Sequence, residues 1–176
     1  NTRFAVLASN GRIYTAGGAT AQSYWNSVVS GDGQLGSWLA TASLPAVRPD
    51  LELAELDGKL YATGGSIAGI ATNDVYYATI TANGSLSAWD SDAVSMNAAR
   101  AHHGAFAWGR RLYVAGGLDA ANAARAEIYS GEFSLRAVTY PSHGQVAFSQ
   151  TQASGDLGSA GVPATADRLI ISTSPH

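Results

Sequence analysis

The chain has 176 residues, of which 46% are apolar and 13% charged, with a net charge of -3; it is long enough to bury one domain's core and too nearly neutral to offer nucleic acid or an acidic membrane a strong field. It has no cysteine, which excludes disulfides and thiolate chemistry. No apolar run approaches the ~18 residues of a membrane span, and a sequence rich in Ala, Ser, Thr, Gly and Asn with a single Lys reads as that of an exported, extracellular or cell-surface protein.

Residues 3–7 read as a first strand, and Asn10-Gly11 as the tight turn into a second, the segment GRIYTAGG at 11–18, which closes on a glycine pair. Tyr24-Trp25 mark a third strand, Asp32-Gly33 a second turn, and Leu35 with Trp38 a fourth strand. Asx-Gly pairs between β-prone runs favour the positive φ of two-residue hairpins. The pattern then starts again. Leu44-Pro45-Ala46-Val47-Arg48 leads into the alternating strand 51–56, Asp57-Gly58 turns into GKLYATGG at 58–65, and the β-branched, aromatic run 74–81 is followed by Asn83-Gly84, Leu86 and Trp89. These alternations and compositions are those of strands.

A third pass opens with Met96 to Arg100, in register with Leu44 to Arg48, and continues through RRLYVAGG at 110–117. The three copies of the glycine-pair motif lie 47 and 52 residues apart, so the chain is a tandem array of four-stranded antiparallel meanders. Residues 126–130 are expected as a third strand, Ser130-Gly131 as a turn and 132–138 as a fourth strand lacking its Trp. Residues 143–148 and 167–171 echo 103–108 and 110–114 and are expected as the first two strands of a fourth unit, split by a Gly/Ser/Ala-rich insertion over 151–166; Ser154 to Gly158 also resembles a turn of the unit.

The run G-R/K-I/L-Y-x-x-G-G, the aromatic pair, x-G-x-L-x-x-W and the upstream P-A-x-R resemble the kelch repeat and the galactose-oxidase-like propeller modules of bacterial proteins over residues 1–130. The resemblance implies an all-β fold, a kelch-type β-propeller with about three four-stranded blades at 1–44, 45–95 and 96–140 and a partial fourth at 141–176. Propellers close with about 4 to 8 blades, so this chain alone is not expected to close one. The remainder of a longer chain, or a second chain, is expected to complete the ring.

In such a unit the lead-ins to the first strand and the loops after the glycine pair emerge on one face, which would gather Arg48, Asp50, Arg100, His102 and His143 as the ligand-binding candidates. Arg48 and Arg100 share a register. A guanidinium there suits a carboxylate or sugar acid, but an arginine repeated in each unit is better read as tying a connection to its neighbours. His102 and His103 are adjacent, so on a strand they point to opposite faces and form no natural chelate; no metal or cofactor is expected. Trp25, Tyr76 and Tyr77 read as inter-sheet packing before sugar platforms, and Trp38 and Trp89 as inter-sheet core. Asp50 and Asp119 are acids without a visible partner.

The function expected is a non-catalytic binding module for a glycan or a protein partner, with a structural repeat of a cell-surface protein or assembly as the alternative. A sugar-acting enzyme is a second alternative. The copper radical oxidase chemistry that the resemblance implies needs a tyrosine crosslinked to a cysteine, which this chain lacks. Similarity to kelch-type sialic acid epimerases would instead lean on face-lining arginines and acids, which Arg48, Asp50 and Arg100 imitate.

Overall fold

The computed structural model describes residues 3–27, 33–90, 95–134 and 145–151. Among them the regular structure is all strand. β1 (Phe4–Ser9), β2 (Arg12–Gly17), β3 (Ser23–Ser27) and β4 (Leu39–Thr41) form a first antiparallel sheet in chain order. β5 (Leu51–Leu56), β6 (Lys59–Gly64) and β9 (Val75–Thr79) form a second, with a small hairpin of β7 (Ser66–Ile67) and β8 (Ile70–Ala71) inserted between its last two strands. β10 (Gly104–Trp108), β11 (Arg111–Ala115), β12 (Ile128–Ser134) and β13 (Gln145–Thr151) form the third. None of these sheets closes on itself.

The repeat is visible in the register. Phe4 pairs with Gly17 and Ser9 with Arg12; Leu51 pairs with Gly64 and Leu56 with Lys59. The joining turns have both central residues at positive φ, Asn10 at 49° with Gly11 at 69° and Asp57 at 51° with Gly58 at 72°. That geometry matches the twist of the flanking strands and suits Asx-Gly. The third sheet turns on Gly109, at φ 60°, with glycine at the first central position in place of the Asx-Gly pair.

Two differences from the sequence reading follow from pairing. The expected fourth strand of the second unit is reduced to bridges, Ile80 with Leu86 and Tyr77 with Asp90, and the Trp89 indole between them donates to the Ala42 carbonyl of the preceding unit at 3.0 Å. In the third unit, Ser130-Gly131 is no turn. Both residues sit within β12, opposite Tyr113 and Leu112, and the pairing with β11 runs on to Glu132 opposite Arg111. Residues 145–148, expected to open a fourth unit, instead belong to β13, the outer strand of the third sheet, with Gln145 opposite Ser134 and Thr151 opposite Ile128. Residues 135–138 and the expected strand at 167–171 lie outside the described residues.

Two cores separate the three sheets. Tyr14, Ala5 and Ala16 of the first sheet meet Leu51, Leu53, Leu60, Ala62, Tyr76, Ala78, Leu86 and Trp89 of the second unit. Ala54, Leu56, Tyr61, Val75 and Tyr77 on the opposite face of the second sheet meet Met96, Leu112, Val114 and Tyr129. The middle sheet is therefore buried on both faces, which is why β6 is apolar almost throughout. Each large side chain so covered contributes about 1.5–3 kcal/mol.

The glycine pairs mark where successive units touch. Gly64 has φ 56°, and a Cβ on it would fall 2.8 Å from His103 Cε1 and collide with the Arg100 carbonyl. Glycine there lets the end of β6 lie against the lead-in of the next unit. The Gly65 amide then donates to Arg100 O at 2.9 Å, as the Gly18 amide donates to Arg48 O at 3.3 Å.

Candidate functional site

The two repeated arginines are absorbed by the fold. Arg48 is 1% exposed and Arg100 2%. The Arg48 guanidinium lies over the Tyr76 ring at 4.7 Å, pairs with Asp74 at 2.8 Å, and donates to Thr72 Oγ1 at 3.0 Å and the Tyr76 hydroxyl at 3.1 Å. Arg100 repeats the arrangement over Tyr129 at 4.8 Å, donating to Glu127 at 3.2 Å, the Tyr129 hydroxyl at 2.5 Å and the Ala99 carbonyl at 2.8 Å. The terminal nitrogens of each fork are engaged by groups of its own unit, while both Nε atoms are buried without a hydrogen-bond partner among the described residues. Neither has a face left for a carboxylate from solution.

Asp50 and His102 do meet. They occupy the same position in the second and third units, as Arg3 does in the first, and backbone hydrogen bonds string the three together: Asp50 N to Arg3 O and His102 N to Asp50 O, both 3.1 Å. Asp50 Oδ1 lies 3.2 Å from His102 Nδ1 and 3.8 Å from Arg3 Nε. Ser66 donates to Asp50 Oδ2 at 3.3 Å. Asp50 and His102 hold φ of 62° and 55°, a conformation that Asp, Asn and His reach more readily than other non-glycine residues. The lead-ins to β1, β5 and β10 thus gather an acid between two basic side chains. His143 lies outside the described residues.

The loops after the glycine pairs lie beside the lead-ins, as the topology implied. Thr72 bridges Arg100, Leu118 bridges Ala101, and the Ser66 amide donates to Pro49 O at 2.8 Å. Asp119, without a visible partner in the sequence, accepts from the amides of Ala121 and Ala123 at 2.9 Å and from Arg125 Nε at 2.7 Å. The Ala123 amide and the Arg125 side chain hold its carboxyl below the usual range. Arg3 and Arg125 were not singled out by sequence reasoning. For Arg3 the signal was available in its register with Asp50 and His102; for Arg125 there was none, since the loop geometry pairs it.

His103 turns the opposite way from His102. It is buried, with Nε2 2.9 Å from Thr63 Oγ1 of the preceding sheet. Desolvation, and then the charge of Arg100 and the neighbouring His102, lower its pKa from 6.5 to about 4. The unfolded chain takes up a proton near pH 6.5 and the folded chain only near 4, so stability present above pH 6.5 is lost as pH falls from about 6.5 to about 4. The loss expected is on the order of 2 to 3 kcal/mol. Urea melts across this window should show it, and a His103→Gln variant should flatten the profile; an unchanged slope in the variant would refute the assignment.

Among the described residues no group of three or more His, Cys, Asp or Glu is placed to hold a metal, and no helix is long and apolar enough to cross a membrane. Tyr76 and Tyr77 are buried, and Trp25 is half-buried under the Arg12 guanidinium at 5.8 Å. Trp38 departs from expectation. It is 45% exposed, against 8% for Trp89, and lines a cavity of about 600 Å³ with Phe4, Thr15, Gln22 and Tyr24.

No family model and no curated protein matches the chain. Solved structures do, among them one titled "Structure of YjhT", 25% identical with a TM-score of 0.56 over 68% of this chain and 35% of that one. The chain thus spans about a third of the length of that protein. The likeness concerns the course of the backbone.

Proposed function

We propose that the chain is part of a kelch-type β-propeller and works as a non-catalytic binding module, meeting a glycan or a protein partner at the rim that carries Arg3, Asp50 and His102. The propeller reading is supported by three units in one register, by the hydrogen bonds that string Arg3, Asp50 and His102 together at one end, and by the backbone likeness to YjhT. The binding reading rests on one observation. Two non-glycine residues at positive φ, from equivalent positions of successive units, hold an acid and an imidazole 3.2 Å apart at the ends of rigid strands. Strained backbone kept at a charged, loop-borne cluster is a pointer to recognition.

The arrangement does not favour catalysis. Ser66 donates to the Asp50 carboxylate, so the acid stands between the hydroxyl and the imidazole, whereas an activated nucleophile needs the base beside the hydroxyl. Hydrogen-bonding a sugar hydroxyl or a peptide group suits this cluster without proton transfer.

The test is a glycan array and calorimetric titration of the chain, repeated with Asp50→Asn and His102→Asn. Asparagine tolerates positive φ, so both variants are expected to melt within a few degrees of the parent and to bind at least ~10-fold more weakly, a loss of about 1.4 kcal/mol. Undiminished binding by both variants would move the ligand away from this rim.

A further inference from the structure

We infer that the seam between the second and third units is an acid-operated latch: protonation of the buried His103 imidazole opens it and takes apart the Asp50–His102 pair. That a ligand leaves with the pair rests on the binding reading above; the opening itself does not.

The described residues hold two such seams, and their backbone contacts are the same. At the first, the amides of Gly18, Leu44 and Asp50 donate to the carbonyls of Arg48, Ala21 and Arg3 at 3.3, 2.7 and 3.1 Å. At the second, Gly65, Met96 and His102 donate to Arg100, Asn73 and Asp50 at 2.9, 2.7 and 3.1 Å. Each seam also closes on one side chain set between two glycines, one from each unit. A Cβ on Gly17 would fall 2.9 Å from Leu51 Cδ2, and one on Gly65 3.0 Å from Leu51 Cβ. A Cβ on Gly64 would fall 2.8 Å from His103 Cε1, and one on Gly117 2.8 Å from His103 Cβ.

What differs is the side chain in that place. Leu51 shares a core with Ala16, whereas His103 meets Thr63, the residue equivalent to Ala16, with Nε2 2.9 Å from Oγ1. The first pair carries no proton to exchange; the second titrates. His103 is 4% exposed, and its Nδ1 is buried with no hydrogen-bond partner among the described residues. An imidazolium bears a proton on both nitrogens, so acid puts a charge and an unsatisfied donor into the seam together.

The surrounding charges favour opening. On its own lead-in His103 faces Arg100 and His102, which both oppose a further positive charge. The acids nearby are engaged elsewhere, Asp50 with His102 and Glu127, beside the Tyr129 hydroxyl, with Arg100. On the middle sheet, burial raises the pKa of Tyr61 and keeps it neutral. Glu52 stands opposite Thr63, and burial raises its pKa too. A carboxyl that takes its proton more readily in the folded chain adds stability as pH falls, so Glu52 cannot supply the acid opening. His102 directly precedes His103, and its amide makes the seam bond to Asp50 O. A seam that parts therefore carries the His102 ring away from the carboxylate 3.2 Å from it.

Amide hydrogen exchange followed by NMR at pH ~7 and ~4 tests this without any ligand. His103 titrates near 4 in the folded chain against 6.5 when exposed, so protection of the Gly65, Met96 and His102 amides is expected to fall about 100-fold. The Gly18 and Leu44 amides of the first seam should change by less than ~5-fold. Thr63→Ala with His103→Leu rebuilds the second seam on the plan of the first and should abolish the difference. His103→Gln serves the same purpose should the double variant lose the parent's circular dichroism. His102→Asn should leave the loss at Gly65 and Met96 in place. Equal losses at both seams, which would mean global unfolding, overturn the inference. So do a second seam that stays protected at pH ~4, a loss that survives the folded His103 variants, and a loss that His102→Asn removes. A glycan array on which the rim binds nothing removes the binding reading and leaves the latch standing; a seam that stays shut in acid does the reverse.

Discussion

Replacing Trp89 by alanine is expected to lower the free energy of unfolding by about 3–5 kcal/mol, whereas Trp38→Ala at the equivalent position should cost less than about 1 kcal/mol. Trp89 is buried between the first two sheets among Leu44, Leu51 and Tyr76. Its removal leaves a cavity there and strips the Ala42 carbonyl of the indole donor 3.0 Å away. Trp38 is nearly half exposed, and truncating it removes little area from a packed environment. Urea melts at submicromolar chain concentration, below any self-association, provide the comparison. Equal losses at the two positions would mean that both tryptophans are packed alike.

Arg100→Met is expected to cost about 3 kcal/mol, at the lower end of what breaking a buried ion pair costs, because Glu127 keeps about a quarter of its side chain in water. The methionine fills the space over the Tyr129 ring, but the Glu127 carboxylate and the Tyr129 hydroxyl lose the guanidinium that both use. Arg100→Lys should recover only part of the loss, since an ammonium cannot reach several partners with the geometry of a planar fork. The discriminating feature is the readout. Melting should suffer while affinity for any ligand of the rim is kept, the reverse of what His102→Asn should do. A variant that melts like the parent and binds more weakly would return Arg100 to the ligand face.

The strands and their turns were legible because their causes are local. Asn10-Gly11 and Asp57-Gly58 favour positive φ through their own short side chains, although Asn83-Gly84 places only its glycine there, and the alternation of residues 51–56 needs no knowledge of a partner. The misreading at Ser130-Gly131 came from the same source: a serine-glycine pair resembles a turn, yet pairing with β11 held it extended. The reading of the repeated arginines as ties within the fold was available from register alone. Their partners, Asp74 with Tyr76 and Glu127 with Tyr129, stand 26 to 29 residues downstream and only the folded sheet brings them to hand.

The repeat, the all-β class and the apolar side of each strand were thus determined by the sequence itself, through preferences that act over a few residues. Tertiary structure alone decided which apolar side is covered, since Phe4 and Leu51, or Trp38 and Trp89, are the same in pattern and differ only in having a neighbouring sheet. It alone assigned β13 to the third sheet, because a strand's edge can pair with any strand that reaches it. It alone joined Asp50 to His102, a contact across 52 residues made by the stacking of successive units against the glycine pairs. Contacts of that span depend on where whole sheets come to rest, and no short stretch of chain carries that information.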